Sequence, residues 1–192
     1  MWNKVSKIAQ YQNGNVYVQR FDDGTVIRYS NDDEFNFTFP ENIDLKITNC
    51  CTGTDCPWCH EGSGPNGKHG DILNAPWVDT LFKYQEVAIG GGNPLEHPDL
   101  IKFLERLKEK QVFANITVNQ IHFMSNIDTL WWLSKEGLIH GIGVSFHHYD
   151  PDFLKIMEVF PHAVLHVIAG ILDDKDLCKI MTYHDLKILF LG

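Results

Sequence analysis

Between residues 86 and 191 an apolar run, a polar turn and an amphipathic stretch recur in order, a rhythm that few architectures can absorb. The pattern predicts strands over 86–90, 114–119, 139–146, 163–169 and 186–191, with helices over 98–110, 127–135, 151–160 and 174–183 between them. The first helix sets Ile101, Leu104 and Leu107 on one stripe, and the second carries Trp131. The third opens with Pro151 near its first turn, and the fourth has an acidic start. An earlier run, in which Ile43, Leu45 and Ile47 alternate with polar neighbours up to Thr48, adds a sixth strand. Alternating strands and helices imply a parallel α/β sheet. Right-handed crossovers curl such a sheet into a full or partial barrel, with function at the carboxyl ends of the strands.

Four of the five cysteines follow the strand that ends at Thr48, in the stretch IDLKITNCCTGTDCPWCHE. From Cys51 the spacing is C-x4-C-x2-C through Cys56 and Cys59; from Cys50 it is C-x5-C-x2-C, so one of the two adjacent thiols is spare. Three thiolates on a short loop suit a cubane iron–sulfur cluster with one iron left open. A structural zinc site is the alternative, since Cys50, Cys51, Cys56, Cys59 and His60 offer four ligands and more. Zinc ribbons bring a second C-x2-C, however, and Cys178 stands alone in a predicted helix, where it reads as core packing. Spacing leaves both metals open.

Length 192 and 44% hydrophobic residues suit one globular domain with a real core. Sixteen Lys and Arg against 25 Asp and Glu, net −9, give no clear nucleic-acid surface. The amino terminus lacks a charged-then-apolar leader and no run reaches the length of a membrane span, which predicts a cytoplasmic protein without membrane attachment. Clustered cysteines argue for reduced thiols and a metal rather than a disulfide framework.

Residues 7–39 carry turn signals at Asn13-Gly14 and Asp23-Gly24 between β-prone runs, which predicts a small β-hairpin appendage over 1–42 with Phe35, Phe37 and Phe39 alternating on one face. The main core then covers 43–192 and ends at its sixth strand. Residues 61–71, EGSGPNGKHGD, predict a loop, either a connector or a shield for the cysteines. A helical pattern follows over 76–84, with Trp77, Leu81 and Tyr84 on one face.

The run Gly90, Gly91, Gly92, Asn93, Pro94 leaves the second strand. A phosphate loop is excluded, because no Lys-Ser/Thr follows and the G-x-G-x-x-G series fails at Leu95. Asn119 and Gln120 end the third strand, and Ser145, His147 and His148 leave the fourth together. Polar groups gathered at such strand ends are site candidates.

Taken together, these features resemble the radical S-adenosylmethionine (SAM) family over most of the chain. Its usual loop is C-x3-C-x2-C with an aromatic residue before the last cysteine. Trp58 matches that aromatic, while the first gap here is one residue longer. The resemblance implies a partial (β/α)6 parallel barrel and a [4Fe-4S] cluster on Cys51, Cys56 and Cys59. It also implies S-adenosyl-L-methionine as cofactor, cleaved reductively to a 5′-deoxyadenosyl radical. Gly90, Gly91, Gly92, Asn93 and Pro94 resemble the family's GGE-P loop, which holds the SAM amino group. Asn93 stands where the glutamate is usual, with Glu96 a nearby substitute, so SAM binding is expected to be weaker and in part recoverable by Asn93→Glu. Ser145, and equally Asn119 and Gln120, correspond to polar contacts of the SAM carboxylate or ribose. The stretch His166-Val167-Ile168-Ala169-Gly170 resembles a G-x-I-x-G-x-x-E pattern with His166 for the first glycine, Asp173 for the acid, and Ile168 against adenine; residues 189–191 sit at the same place on the last strand. The implied partners are an electron donor such as flavodoxin or ferredoxin and a peptide or small-molecule substrate.

Overall fold

Turn chemistry shapes the first residues. In the computed structural model, which describes residues 5–53 and 56–192, β1 (Lys7–Asn13) and β2 (Val16–Phe21) pair antiparallel, and β3 (Val26–Tyr29) joins the other edge of β2. Gly14 turns the chain at φ 64°, a conformation glycine adopts without strain, and a Cβ there would strike the Asn36 carbonyl. Buried Asn13 fastens the next segment: its Oδ1 accepts from the N–H groups of Thr38 (2.9 Å) and Phe39 (3.1 Å). Glu41, also buried, accepts from Tyr11 Oη (2.8 Å) and from Arg28 Nε (2.5 Å). The alternating Phe35, Phe37 and Phe39 do not form a strand face. Asn13 and Asn15 take hydrogen bonds from their backbone that a ladder would need, and Phe35 and Phe37 lie exposed in edge contact with each other.

The chain divides into two compact units, Met1–Asn42 and Ile43–Gly192. In the second, β4 (Asn42–Thr48), β5 (Glu86–Gly91), β6 (Phe113–Asn119), β7 (Gly141–Phe146), β8 (Ala163–Ile168) and β9 (Ile188–Leu191) form one sheet in sequential order. Every pairing from β5 to β9 is parallel. Helices α1 (Leu100–Glu109), α2 (Gln120–Ser125), α3 (Ile127–Lys135), α4 (Pro151–Val159) and α5 (Asp174–Ile180) supply the crossovers. Successive strand residues point to opposite faces, so Val87, Ile89, Ile116, Val144, Phe146, Leu165 and Val167 share one buried face. They join Phe103, Leu104 and Leu107 of α1, Leu130 and Leu133 of α3, and Phe153 and Leu154 of α4 in a single core. Phe153 ties this core together, its ring 5.6 Å from both Phe123 and Phe146.

Several expected elements shift for local reasons. The helical pattern over 76–84 becomes a single 3-10 turn, Pro76–Thr80, because Leu81 is extended and Tyr84 takes φ 70° while its N–H bonds Gln111 O at 2.8 Å. The strand expected from 139 starts at Gly141, since the N–H groups of Leu138 and Ile139 both bond back to Leu133 O after α3. Helix α2 was not expected at all; Asn119 caps it, accepting from His122 N at 2.8 Å. Cys178 is exposed rather than in the core, because α5 buries Ile180 and turns Cys178 away from that side.

Candidate functional site

The cysteine loop begins where β4 stops, and the end of β5 holds it there. Gly92 N donates to Thr48 O and Asn93 N to Cys50 O, both at 2.7 Å. The two backbones lie so close that a Cβ on Gly91, at φ 113°, would collide with the Thr48 carbonyl, and one on Gly92 with the Cys50 carbonyl. The glycine run therefore packs against the start of the cysteine loop itself. On its other side the loop 61–71 returns: Cys51 N bonds Gly64 O (3.0 Å), Asn49 N bonds Lys68 O (2.9 Å), and a Cβ on Gly67 would meet the Asn49 carbonyl. Thr48 Oγ1 accepts from Cys50 N (2.9 Å) and meets His69 Nδ1 (2.9 Å). That loop is thus a brace for the cysteines as well as a connector.

Asn93 is buried at 4% exposure, and its amide is engaged locally. Its Oδ1 accepts from Leu95 N (3.2 Å), opening the 3-10 turn Pro94–Glu96, and its Nδ2 donates to Glu96 Oε1 (3.0 Å). Glu96 Oε1 also accepts from Thr52 N (2.9 Å) and Thr52 Oγ1 (2.8 Å), and Oε2 takes a hydrogen bond from Cys50 Sγ (3.2 Å). Burial raises the pKa of this carboxyl, but the Thr52, Asn93 and Cys50 hydrogen bonds outweigh it and hold the value at about 2. The same bond from Cys50 to Glu96, then burial, pushes the Cys50 thiol up. A glutamate at position 93 would set a second carboxylate against Glu96, in place of an amide that now donates to it.

At the ends of β6, β7 and β8 the register places Asn119 opposite Ser145 and Ser145 opposite His166, on the face away from the helices. Leu189 of β9 pairs with His166, and Leu191 with Ile168. Ser145 and Ile168 are half-buried. The His166 ring lies over Gly143, where any Cβ would collide with it, and burial lowers its pKa, so the imidazole is neutral at pH 7. Gln120, buried at 1%, is the first residue of α2, and its Nε2 donates to His148 O at 3.1 Å. His147 packs its ring 5.8 Å from that of Trp58, which brings the aromatic residue of the cysteine loop to the end of β7. Burial, then the neighbouring His148, lowers the His147 pKa, against a backbone bond at Ser145 that raises it.

None of the five cysteines is in a disulfide; Cys50, Cys51 and Cys56 are half-buried and Cys59 is exposed. Among the described residues no three His, Cys, Asp or Glu side chains converge as a metal nest. The donor set itself suits iron and sulfide, being three soft thiols on one loop whose first part is clamped from two sides. Residues 54 and 55, between the first and second thiols of that set, lie outside the described residues.

Sequence reasoning passed over Thr52 and His122. The His122 Nε2 donates to Thr52 O at 2.7 Å, a contact 70 positions apart in the chain. An Asn cap three residues ahead of His122 was the available signal, because it marks the start of α2 and so the place where that histidine must project.

A sequence profile of the family described as the Radical SAM superfamily matches residues 45–177. Two curated relatives from Methanococcus maripaludis are each described as "Probable GTP 3',8-cyclase". The strain C7 protein is 28% identical over 118 residues, 58% of this chain and 38% of its own length. The strain C6 protein is 29% identical over 114 residues, 56% of this chain and 36% of its own length. The chain therefore matches well under half the length of these relatives.

Proposed function

Starting from a chain that belongs to the radical SAM superfamily of enzymes, we propose that Cys51, Cys56 and Cys59 hold a [4Fe-4S] cluster and that SAM binds beside it, along the carboxyl ends of β4 to β9. The observation that carries this reading is the junction of the cysteine loop with the glycine run, through Gly92 to Thr48 and Asn93 to Cys50. The sheet, covered by helices on one face, is read as a partial barrel with its other face open to substrate. A β-hairpin appendage, residues 1–42, and a core, residues 43–192, complete this reading of the chain.

Cys51, Cys56 and Cys59 would hold the cluster with SAM beside it, and together the two would supply one-electron cleavage of SAM and radical abstraction of hydrogen from a substrate. The chain's own residues place the reactants. Gly90 leaves room beside the turn for the methionine end, Gly91 and Gly92 let that turn lie against the cysteine loop, and Asn93 and Pro94 shape it. Asn119 and Ser145 offer hydrogen bonds to the carboxylate or ribose, and Ile168 offers an apolar surface to adenine. Trp58, packed against His147, ties the far part of the cysteine loop to the end of β7. Electrons come from a small donor protein such as flavodoxin or ferredoxin.

The substrate is a peptide or a small molecule. Between residues 43 and 192 the single arginine is Arg106, whose guanidinium bonds Leu73 O and Asp79 at 2.5 Å each. Lys46, on the open face, pairs with Glu61, and Glu86 bonds Asn115 (2.5 Å). Arg106 and Lys46 are thus both engaged by partners within the chain.

The test is release of 5′-deoxyadenosine by iron-reconstituted, dithionite-reduced protein under strict anaerobiosis. Stoichiometric or faster release from SAM is expected. Cluster-loaded, reduced protein that neither binds SAM nor forms deoxyadenosine would favour a non-catalytic metal protein.

A further inference from the structure

The vicinal pair Cys50-Cys51 offers two thiols for one ligand position, and the Cys50 thiol donates to Glu96 Oε2 at 3.2 Å. We propose that Glu96 is a positioning residue that latches the start of the cysteine loop, holding the Cys50 thiol out of the ligand set so that Cys51 is the metal ligand. This rests on the reading of the loop as a cluster site, and it concerns how this particular chain selects its register.

Glu96 is fixed before it acts. It ends a 3-10 turn opened by Asn93, and the His97 that follows donates from Nε2 to Gly70 O (2.8 Å) while its Nδ1 accepts from Asp99 N (3.1 Å). From that anchored position one carboxylate oxygen takes both the N–H and the hydroxyl of Thr52, and the other takes the Cys50 thiol. Thr52 is gripped from a third direction by His122, whose Nε2 must carry the proton because a carbonyl only accepts. Cys50 is likewise held at its N–H by Thr48 Oγ1 and at its carbonyl by Asn93 N. Residues on both sides of Cys51 are therefore tied to β4, the β5 turn and α2, and the Cys50 side chain is turned toward Glu96. Charged acceptors make stronger hydrogen bonds than neutral ones, so the carboxylate is the natural anchor for three donors of one short segment.

The inference is tested in two arms, one of which needs no metal. In the metal-free chain, mass-resolved alkylation at fixed pH is expected to modify exposed Cys59 well before Cys50, and Glu96→Ala is expected to raise the Cys50 rate on the order of tenfold, or about 1.4 kcal/mol. Glu96→Gln, which can still accept from Thr52, is expected to show a smaller rise with unchanged circular dichroism. Equal Cys50 rates in all three proteins would overturn the latch, whatever the chain does with iron. After anaerobic reconstitution, Cys50→Ala is expected to retain iron and sulfide, Cys51→Ala to lose them, and Cys51→Ala with Glu96→Ala to regain iron through the released Cys50. Loss of the cluster on Cys50→Ala alone would overturn the assignment of Cys51. Wild-type protein that takes up no iron, with alkylation as expected, would leave the latch standing and remove the cluster reading instead.

Discussion

Along β6, Ala114, Ile116 and Val118 are buried under the helices, while Asn115, Thr117 and Asn119, interleaved with them, are only half-buried on the opposite face. The contrast repeats on β7, with Ile142, Val144 and Phe146 against Gly141, Gly143 and Ser145, and on β8, with Leu165 and Val167 against His166 and Ile168. A fully closed and filled barrel would bury both sets. Here one face carries the stability and the other is left polar and partly accessible, so the same strands can support a core and the candidate site with little competition between them. Substitutions should therefore separate by face.

The largest effect is expected on the covered face. Phe153→Ala removes a ring packed between Phe123 and Phe146 and is expected to destabilise by roughly 3–5 kcal/mol in chemical denaturation, a large fraction of the stability of an ordinary domain. A loss under about 1 kcal/mol would break the comparison. Next comes the junction of the site. Gly92→Ala drives a methyl into the Cys50 carbonyl, so about 1–3 kcal/mol of stability and most of the iron-binding capacity are expected to go together. Iron uptake unaffected by that change would mean the loop does not depend on the close approach.

On the open face the expected order is reversed, with function more sensitive than stability. Ser145→Ala is expected to leave the denaturation midpoint within about 0.5 kcal/mol of wild type while weakening SAM binding several-fold, as loss of about 1 kcal/mol would do. The smallest effect belongs to His166. Burial lowers its pKa from the ordinary 6.5, so protonation opposes the fold. Its contribution to stability is full above that ordinary value and is lost as pH falls below it toward the lowered folded value. Denaturation series between pH 8 and pH 5 are expected to show a shallower decline for His166→Gln than for wild type; identical slopes would place the ring in water.

Much of this division was legible beforehand. The recurring apolar runs, with one alternating run before them, located all six strands of the main sheet, and helix α3 has the bounds its pattern suggested, Ile127–Lys135. Local signals misled where distant atoms decide. Phe35, Phe37 and Phe39 alternate like a strand, but Asn13 and Asn15 claim the backbone there; the pattern over 76–84 looks helical, but Gln111 captures Tyr84. At the site, the cysteines and glycines were visible as spacing. The role of Glu96 was not, because it depends on Thr52 being 2.9 Å away across 44 positions, which no window of sequence contains. The glycine run shows the same limit: its need for glycine arises from the carbonyls of Thr48 and Cys50 on another strand.

The most direct measurement of the central claim is electron paramagnetic resonance of the iron-reconstituted, reduced protein with and without SAM. A signal of a reduced [4Fe-4S] cluster whose g-values shift on adding SAM is expected from the proposed ligand set, in which three thiolates would leave one iron open to the cofactor. Protein that takes up one tetrahedral zinc and no iron, or a cluster whose spectrum ignores SAM, would contradict the account.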